Sequence, residues 1–287
     1  MSQIAHRQEL VAYWGIEPGS RVLEIGCGQG DTTVALADAV GEEGSVVALD
    51  PGRPDYGSPS TLAQAQAHIL STSLGPRITF QFIDPLLYLS TYTGPAYDYI
   101  VLSHCIYYFA SPTHLPILLT SLLPHTTTLC LAEWSLHASS LPQVPHVQTA
   151  LLLSWLETKR PVSSGGNIRT VLSPAQIVSA VLSTNALNPK LDGDAAPSFK
   201  LHKQATLPSH PGLQDGFWEV SDLLRKRGKE ISSLRERQKD GNEAVNENEI
   251  VAFEAAYDSI EELVNGLEDG VKGVRCMDFW VGVFRRV

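Results

Sequence analysis

Carboxylates, glycines and a histidine fall at the ends of apolar runs through the first half of the chain. Val22 to Asp31 reads VLEIGCGQGD, with Glu24 late in the run and Gly26, Gly28 and Gly30 alternating around Cys27. Ser45 to Asp50 closes on an acid before Pro51, and Arg77 to Ile83 stops at Asp84 before Pro85. Tyr97 to Ser103 leads into His104 and Tyr107, and Thr128 to Trp134 carries Glu133. Glycines after a strand let the main chain take positive φ and let a ligand approach it closely. A carboxylate just ahead of them suits a cationic, amine-bearing ligand and repels a phosphate. Asp50 follows Gly26 by 24 residues, about one strand-helix-strand step, and can accept both hydroxyls of a ribose. The competing role for Asp50, and equally for Asp84, is a turn or cap before proline. His104 has the side chain whose ordinary pKa of ~6.5 suits proton removal near neutrality, its alternative being a hydrogen-bonded scaffold residue.

Spacing separates two cofactor classes. The dinucleotide fingerprint G-x-G-x-x-G/A needs a small third residue, where this chain has Asp31. That disfavours a nicotinamide dehydrogenase. With Glu24 in front, the string resembles the E/D-x-G-x-G-x-G signature of class I S-adenosylmethionine-dependent methyltransferases, especially the small-molecule enzymes common in fungal secondary metabolism. The resemblance covers Arg21 to Trp134 well and Ser173 to Leu207 and Val274 to Val287 loosely. It implies S-adenosylmethionine as cofactor and S-adenosylhomocysteine as product. It sets Glu24, Gly26, Cys27, Gly28 and Gly30 at the ligand's amino-acid end, Asp50 and Pro51 at the ribose, Asp84 at the adenine amino group, and Ser103 beside the methyl. The acceptor would then approach from the side of His104, Tyr107 and Glu133. A reactive nucleophile needs no base, because position and desolvation suffice.

The elements that must position these residues alternate. Helical patterns over residues 4 to 14 (Ile4, Leu10, Val11, Trp14), Asp31 to Val40, Thr61 to Leu74, Leu115 to Leu123 and Ser173 to Leu187 are interleaved with the strands above. Asp31 is placed to cap its helix and Gly41 to end it. Ser198 to Leu207 and Val274 to Val287 read as two further strands. The expected fold is α/β, a Rossmann-like doubly wound seven-stranded sheet, mostly parallel with an antiparallel last strand. Little sequence precedes Arg21, so no N-terminal lid domain is expected. We expect one domain over 1–287, with an acceptor cover inserted at 135–172 and a helical hairpin at 208–273.

Composition narrows the partners. The chain has 287 residues, 43% hydrophobic and 18% charged, with a net charge of −10, so nucleic acid is a poor ligand. Four separated cysteines within apolar runs suit reduced core residues of a cytoplasmic protein. No C-x-x-C or H-E-x-x-H spacing supports a metal site, and no run has the length of a signal peptide or membrane span.

The second insertion carries two amphipathic stripes. Phe217, Val220, Leu224, Ile231 and Leu234, with Arg227 interrupting, precede Ile250, Phe253, Tyr257, Ile260, Val264 and Leu267. Residues 217–239 hold seven basic and four acidic side chains, while 240–269 hold ten acidic and none basic. An antiparallel, partly ion-paired hairpin turning near Asp240-Gly241-Asn242 follows. Phe217 and Trp218 are candidates for the acceptor pocket. An exposed seam on this hairpin would favour an alternative, a non-catalytic S-adenosylmethionine-binding subunit that docks a protein partner or a second copy of itself.

Overall fold

Apolar runs of five to nine residues, buried in the middle of a sheet, account for most of the architecture of the computed structural model. The structure describes residues 3–160, 166–187, 197–239 and 245–287; the expected turn at Asp240-Gly241-Asn242 lies outside them. In chain order the elements are α1 (Gln3–Trp14), β1 (Arg21–Ile25), α2 (Asp31–Val40), β2 (Ser45–Asp50), α3 (Leu62–Leu70), β3 (Ile78–Phe82), α4 (Pro85–Thr91) and β4 (Tyr97–Ser103). Then come α5 (His114–Leu122), β5 (Thr126–Trp134), α6 (Val144–Glu157), α7 (Pro174–Leu187), β6 (Phe199–Leu207), α8 (Asp215–Lys239), α9 (Glu247–Asn265) and β7 (Phe279–Arg286).

The seven strands lie in the order β3-β2-β1-β4-β5-β7-β6. β1 pairs parallel with both β2 and β4, so the direction of winding reverses between β1 and β4, where open α/β sheets receive ligands at their carboxyl edge. Ser198 and Val287 exchange both backbone hydrogen bonds, at 3.1 and 2.9 Å, which sets β7 antiparallel to β6. Leu23, Ile25, Ile100, Leu102, Leu129 and Leu131 form the centre of the core, with α5 and α7 contributing Leu118, Leu119, Ile177 and Val181.

The chain divides into two compact units. One comprises Met1–Glu133, Leu172–Leu207 and Trp280–Val287, and holds the sheet; the other comprises Trp134–Val171 and Pro208–Phe279. In the second unit α6 packs against α8 and α9, and Leu152 and Leu156 join Val220, Leu223, Ile231, Leu234, Ile250, Phe253, Tyr257, Ile260 and Val264 in one buried cluster. The two insertions therefore build a common core. Arg227 bonds Asp258 and Glu261 whereas Arg235, two turns later, bonds Glu254, so α8 and α9 run antiparallel. Leu223 is buried in the seam, Leu224 packs against it half-buried, and Trp218 is exposed.

Two caps differ from expectation. Gly30, at φ 96°, precedes α2 with no side-chain cap, and Asp31 is the first helical residue. There its charge still complements the positive end of the helix dipole. Asp84 and Pro85 do not merely stop β3. They open α4, with Asp84 Oδ1 accepting the amides of Leu86 and Leu87 at 2.8 and 3.1 Å and Pro85 at the first helical position.

Candidate functional site

The glycine turn leaves β1 bound to the end of β2. The amides of Gly26 and Cys27 donate to the Leu49 carbonyl at 2.8 and 3.1 Å, and the Gly28 amide donates to Asp50 Oδ2 at 2.7 Å. Asp50 Oδ1 accepts the Gly52 amide at 2.7 Å. A carboxylate offers about four lone-pair sites, so two remain for hydroxyl donors. Gly26, at φ 74°, has no room for a side chain, since a Cβ would stand 2.6 Å from that of Cys105. Gly28, at φ 52°, has nothing within 4 Å of that position, so its main chain is open to close approach. Gln66 of α3 fixes the same turn by donating Nε2 to the Gly28 carbonyl at 2.8 Å.

Glu24 is 1% exposed, and Thr33 Oγ1 donates to its Oε2 at 2.5 Å. Burial pushes its carboxyl up to about 7, against the pull of the Thr33 hydrogen bond and of the Arg7 guanidinium. Cys27 is buried beside it, and that burial raises the thiol, which disfavours the nucleophilic thiolate.

A second cluster stands at the ends of β4 and β5. His104 is buried, and at φ 48° it lies in the left-handed region, which non-glycine residues occupy where surrounding structure holds them. Its amide donates to the Ala132 carbonyl at 2.9 Å. Its Nε2 lies 2.9 Å from His6 Nε2 of α1, and its Nδ1 lies 3.6 Å from Glu133 Oε1. Glu133 is 1% exposed, and its Oε2 accepts the amides of Ile106 and Tyr107 at 3.0 and 3.3 Å. Tyr107 thus meets Glu133 through its main chain, and its ring is buried. Ser103 joins the two clusters, its Oγ accepting from Thr32 Oγ1 at 3.2 Å.

The residues anticipated from the sequence separate accordingly. Glu24, Gly26, Cys27, Gly28, Gly30 and Asp50 surround the glycine turn, and Ser103, His104, Tyr107 and Glu133 form the neighbouring cluster. Pro51 is exposed beside Asp50. Asp84 stands at the end of β3 as a helix cap. His6, Arg7, Thr33 and Gln66 were not anticipated. His6 and Arg7 did leave a signal, because they fall with Leu10, Val11 and Trp14 on the buried face of α1, where polar residues need a reason.

Comparison with known proteins agrees with this geometry. Residues 22–123 match a family described as a methyltransferase domain. The methyltransferase phomM of Diaporthe leptostromiformis is 30% identical over 232 residues, which is 71% of this chain and 59% of that protein. The chain thus spans somewhat more than half the length of that relative. The methyltransferase phomM' of the same organism is 26% identical over 297 positions, covering 90% of this chain and 71% of its own. A solved structure of a cyclopropane-fatty-acyl-phospholipid synthase-like protein from Lactobacillus casei superposes with a TM-score of 0.75 at 25% identity, covering 99% of this chain and 90% of that one. No helix among the described residues is long and apolar enough to cross a membrane.

Proposed function

We propose that the chain is a class I S-adenosylmethionine-dependent methyltransferase, a reading supported by the methyltransferase domain matched over residues 22–123 and by the similarity to the phomM and phomM' methyltransferases, and that it methylates an O, N or S atom of a small-molecule acceptor. The observation that carries the proposal is the pairing of a buried His104 and Glu133, at the ends of β4 and β5, with a carboxylate-flanked glycine turn at the ends of β1 and β2.

The donor set fits the cofactor. The open main chain at Gly28 and the Glu24 carboxylate would hold its amino-acid end, and the two unused lone pairs of Asp50 would hold the ribose. Cys27, Gly26, Gly30, Pro51 and Ser103 would line it. Asp84 would meet the adenine through Oδ2, its Oδ1 being engaged in the helix cap. Bound S-adenosylmethionine supplies a methyl carbon made electrophilic by the sulfonium.

The chain's own work is orientation, desolvation and proton handling. His104 would take the proton of the acceptor nucleophile at Nε2, the acceptor replacing His6 as the partner of that nitrogen. Glu133, fixed by two backbone amides, stands on the Nδ1 side of the imidazolium that would result. Without an acceptor, His6 Nε2 holds that nitrogen at 2.9 Å. The burial of the hairpin stripes among α6, α8 and α9 gives no support to a docking role for that seam.

Isothermal calorimetry tests the cofactor assignment. Micromolar binding of S-adenosylmethionine is expected, and Asp50→Ala should weaken it about 100-fold by removing a charged acceptor of hydrogen bonds. Undetectable binding to the wild-type protein would refute the proposal. A screen of extract metabolites with methyl-labelled cofactor would then identify the acceptor.

A further inference from the structure

Arg7 is a buried cation that the reading above leaves without a task. It lies on α1 at 9% exposure, and its Nε and Nη1 are sealed from solvent with no hydrogen-bond partner among the described residues. A guanidinium keeps its charge at any pH a folded chain survives and carries five N–H donors. Leaving three of them, one on Nε and two on Nη1, buried and unpaired costs free energy, and buried charges are ordinarily paired.

Its surroundings indicate what would satisfy it. α1 packs along α2, the helix that the glycine turn feeds. Its neighbour His6 reaches His104, so this face of α1 addresses the carboxyl edge of the sheet. Among the described residues, the charges that act on the buried Glu24 carboxyl include the anions Asp31 and Asp50 and the cation Arg7. Glu24 is held by Thr33, and no hydrogen bond joins it to Arg7 among the described residues. An acidic site with one unengaged guanidinium is suited to a zwitterion, whose ammonium answers the acid and whose carboxylate answers the arginine.

We propose that Arg7 binds the α-carboxylate of the cofactor's amino-acid end and makes the site select for ligands that carry it; this rests on the methyltransferase reading above. Glu24 then takes the ammonium of the same moiety. Each buried charge of the protein meets its opposite on one ligand, and neither is left uncompensated once the ligand is in place.

Calorimetry with two probes decides the matter, S-adenosylmethionine and its decarboxylated analogue, which lacks only this carboxylate. The wild-type protein should bind the analogue about 10- to 100-fold more weakly, the range for losing a charge-assisted hydrogen-bonded pair. Arg7→Gln should weaken S-adenosylmethionine by a similar factor and leave the analogue within about threefold, so that the preference disappears, while Arg7→Lys restores part of it. Equal binding of both probes by the wild-type protein overturns the role of Arg7 and needs no variant to show it. Equal weakening of both probes by Arg7→Gln also overturns it, because a structural role alone acts on both. Failure of the wild-type protein to bind either probe overturns the methyltransferase reading itself.

Discussion

Each compact unit buries a carboxylate, and the two are satisfied differently. Asp278, in the helical unit, is 4% exposed; its oxygens accept Gln143 Nε2 at 2.8 Å and Ser139 Oγ at 3.1 Å, and lie 2.8 Å from His137 Nδ1. Glu24, in the sheet unit, is as deeply buried, and Thr33 is its one hydrogen-bond donor among the described residues. An acid that serves the scaffold is saturated by the scaffold. Glu24, which we propose serves a ligand, keeps capacity in hand, and burial raises its pKa. The contrast extends to the remaining charges. The sheet unit buries His6, Arg7, His104 and Glu133 around one edge, whereas α8 and α9 keep most of theirs at the surface over an apolar seam.

The strongest way to break this contrast is at His104. Asparagine tolerates the left-handed backbone there, so His104→Asn removes the imidazole with little backbone strain. The rate constant for methyl transfer should fall about 10²- to 10⁴-fold, the usual contribution of a general base. Affinity for S-adenosylmethionine measured by calorimetry should change by less than about threefold. A full rate in the variant would make His104 a scaffold residue.

The two buried acids provide the next test. Removing Asp278 strands buried donors, so Asp278→Ala should cost about 2–4 kcal/mol in chemical denaturation. Glu24→Gln should do the opposite above neutrality. In the folded chain its carboxyl keeps its proton up to a pH of about 7, while in the unfolded chain it ionises near 4.5. The folded state therefore binds more protons in that interval, and stability falls as pH rises through it. At pH 8 Glu24→Gln should stabilise the chain by up to about 3 kcal/mol, a gain that fades as pH falls towards 4. The same variant should bind S-adenosylmethionine more weakly. A stability change independent of pH would mean that Glu24 carries no such penalty.

Which of these features the sequence disclosed depends on whether the signal was local. Ser45–Asp50 and Tyr97–Ser103 were legible to the residue because each carries an apolar run, Val46 to Leu49 and Tyr99 to Leu102, closed by a polar side chain at the strand end. Glu24, the glycines and Asp50 were legible for the same reason, being fixed by strand-turn-helix chemistry over a few residues. Arg7 and His6 were overlooked because Ile4 was counted on the buried stripe of α1, while in the fold Ile4 is exposed and the stripe begins at His6. α4 was hidden because Asp84-Pro85 ends a strand and starts a helix with the same two residues. The joining of α6 to α8 and α9 was out of reach. An amphipathic period shows that a helix has a buried face, and says nothing of which distant segment covers it.

The smallest effect tests the surface side of the contrast. Arg227 interrupts the α8 stripe and bridges Asp258 and Glu261 on α9, with its guanidinium carbon 5.6 Å from the centre of the Tyr257 ring. Both acids are more than half exposed, so solvent screens the attraction, and ordering long side chains offsets much of the rest. Arg227→Ala should therefore cost no more than about 1 kcal/mol, mostly from the ring contact, and what electrostatic part there is should vanish in 1 M salt. A double-mutant cycle with Asp258→Ala separates the pair from the packing. If the coupling exceeded about 2 kcal/mol, the helical unit would be held by its charges as much as by its seam. Charge burial would then no longer distinguish the two units, and the case for reading the sheet edge as the working site would rest on geometry alone.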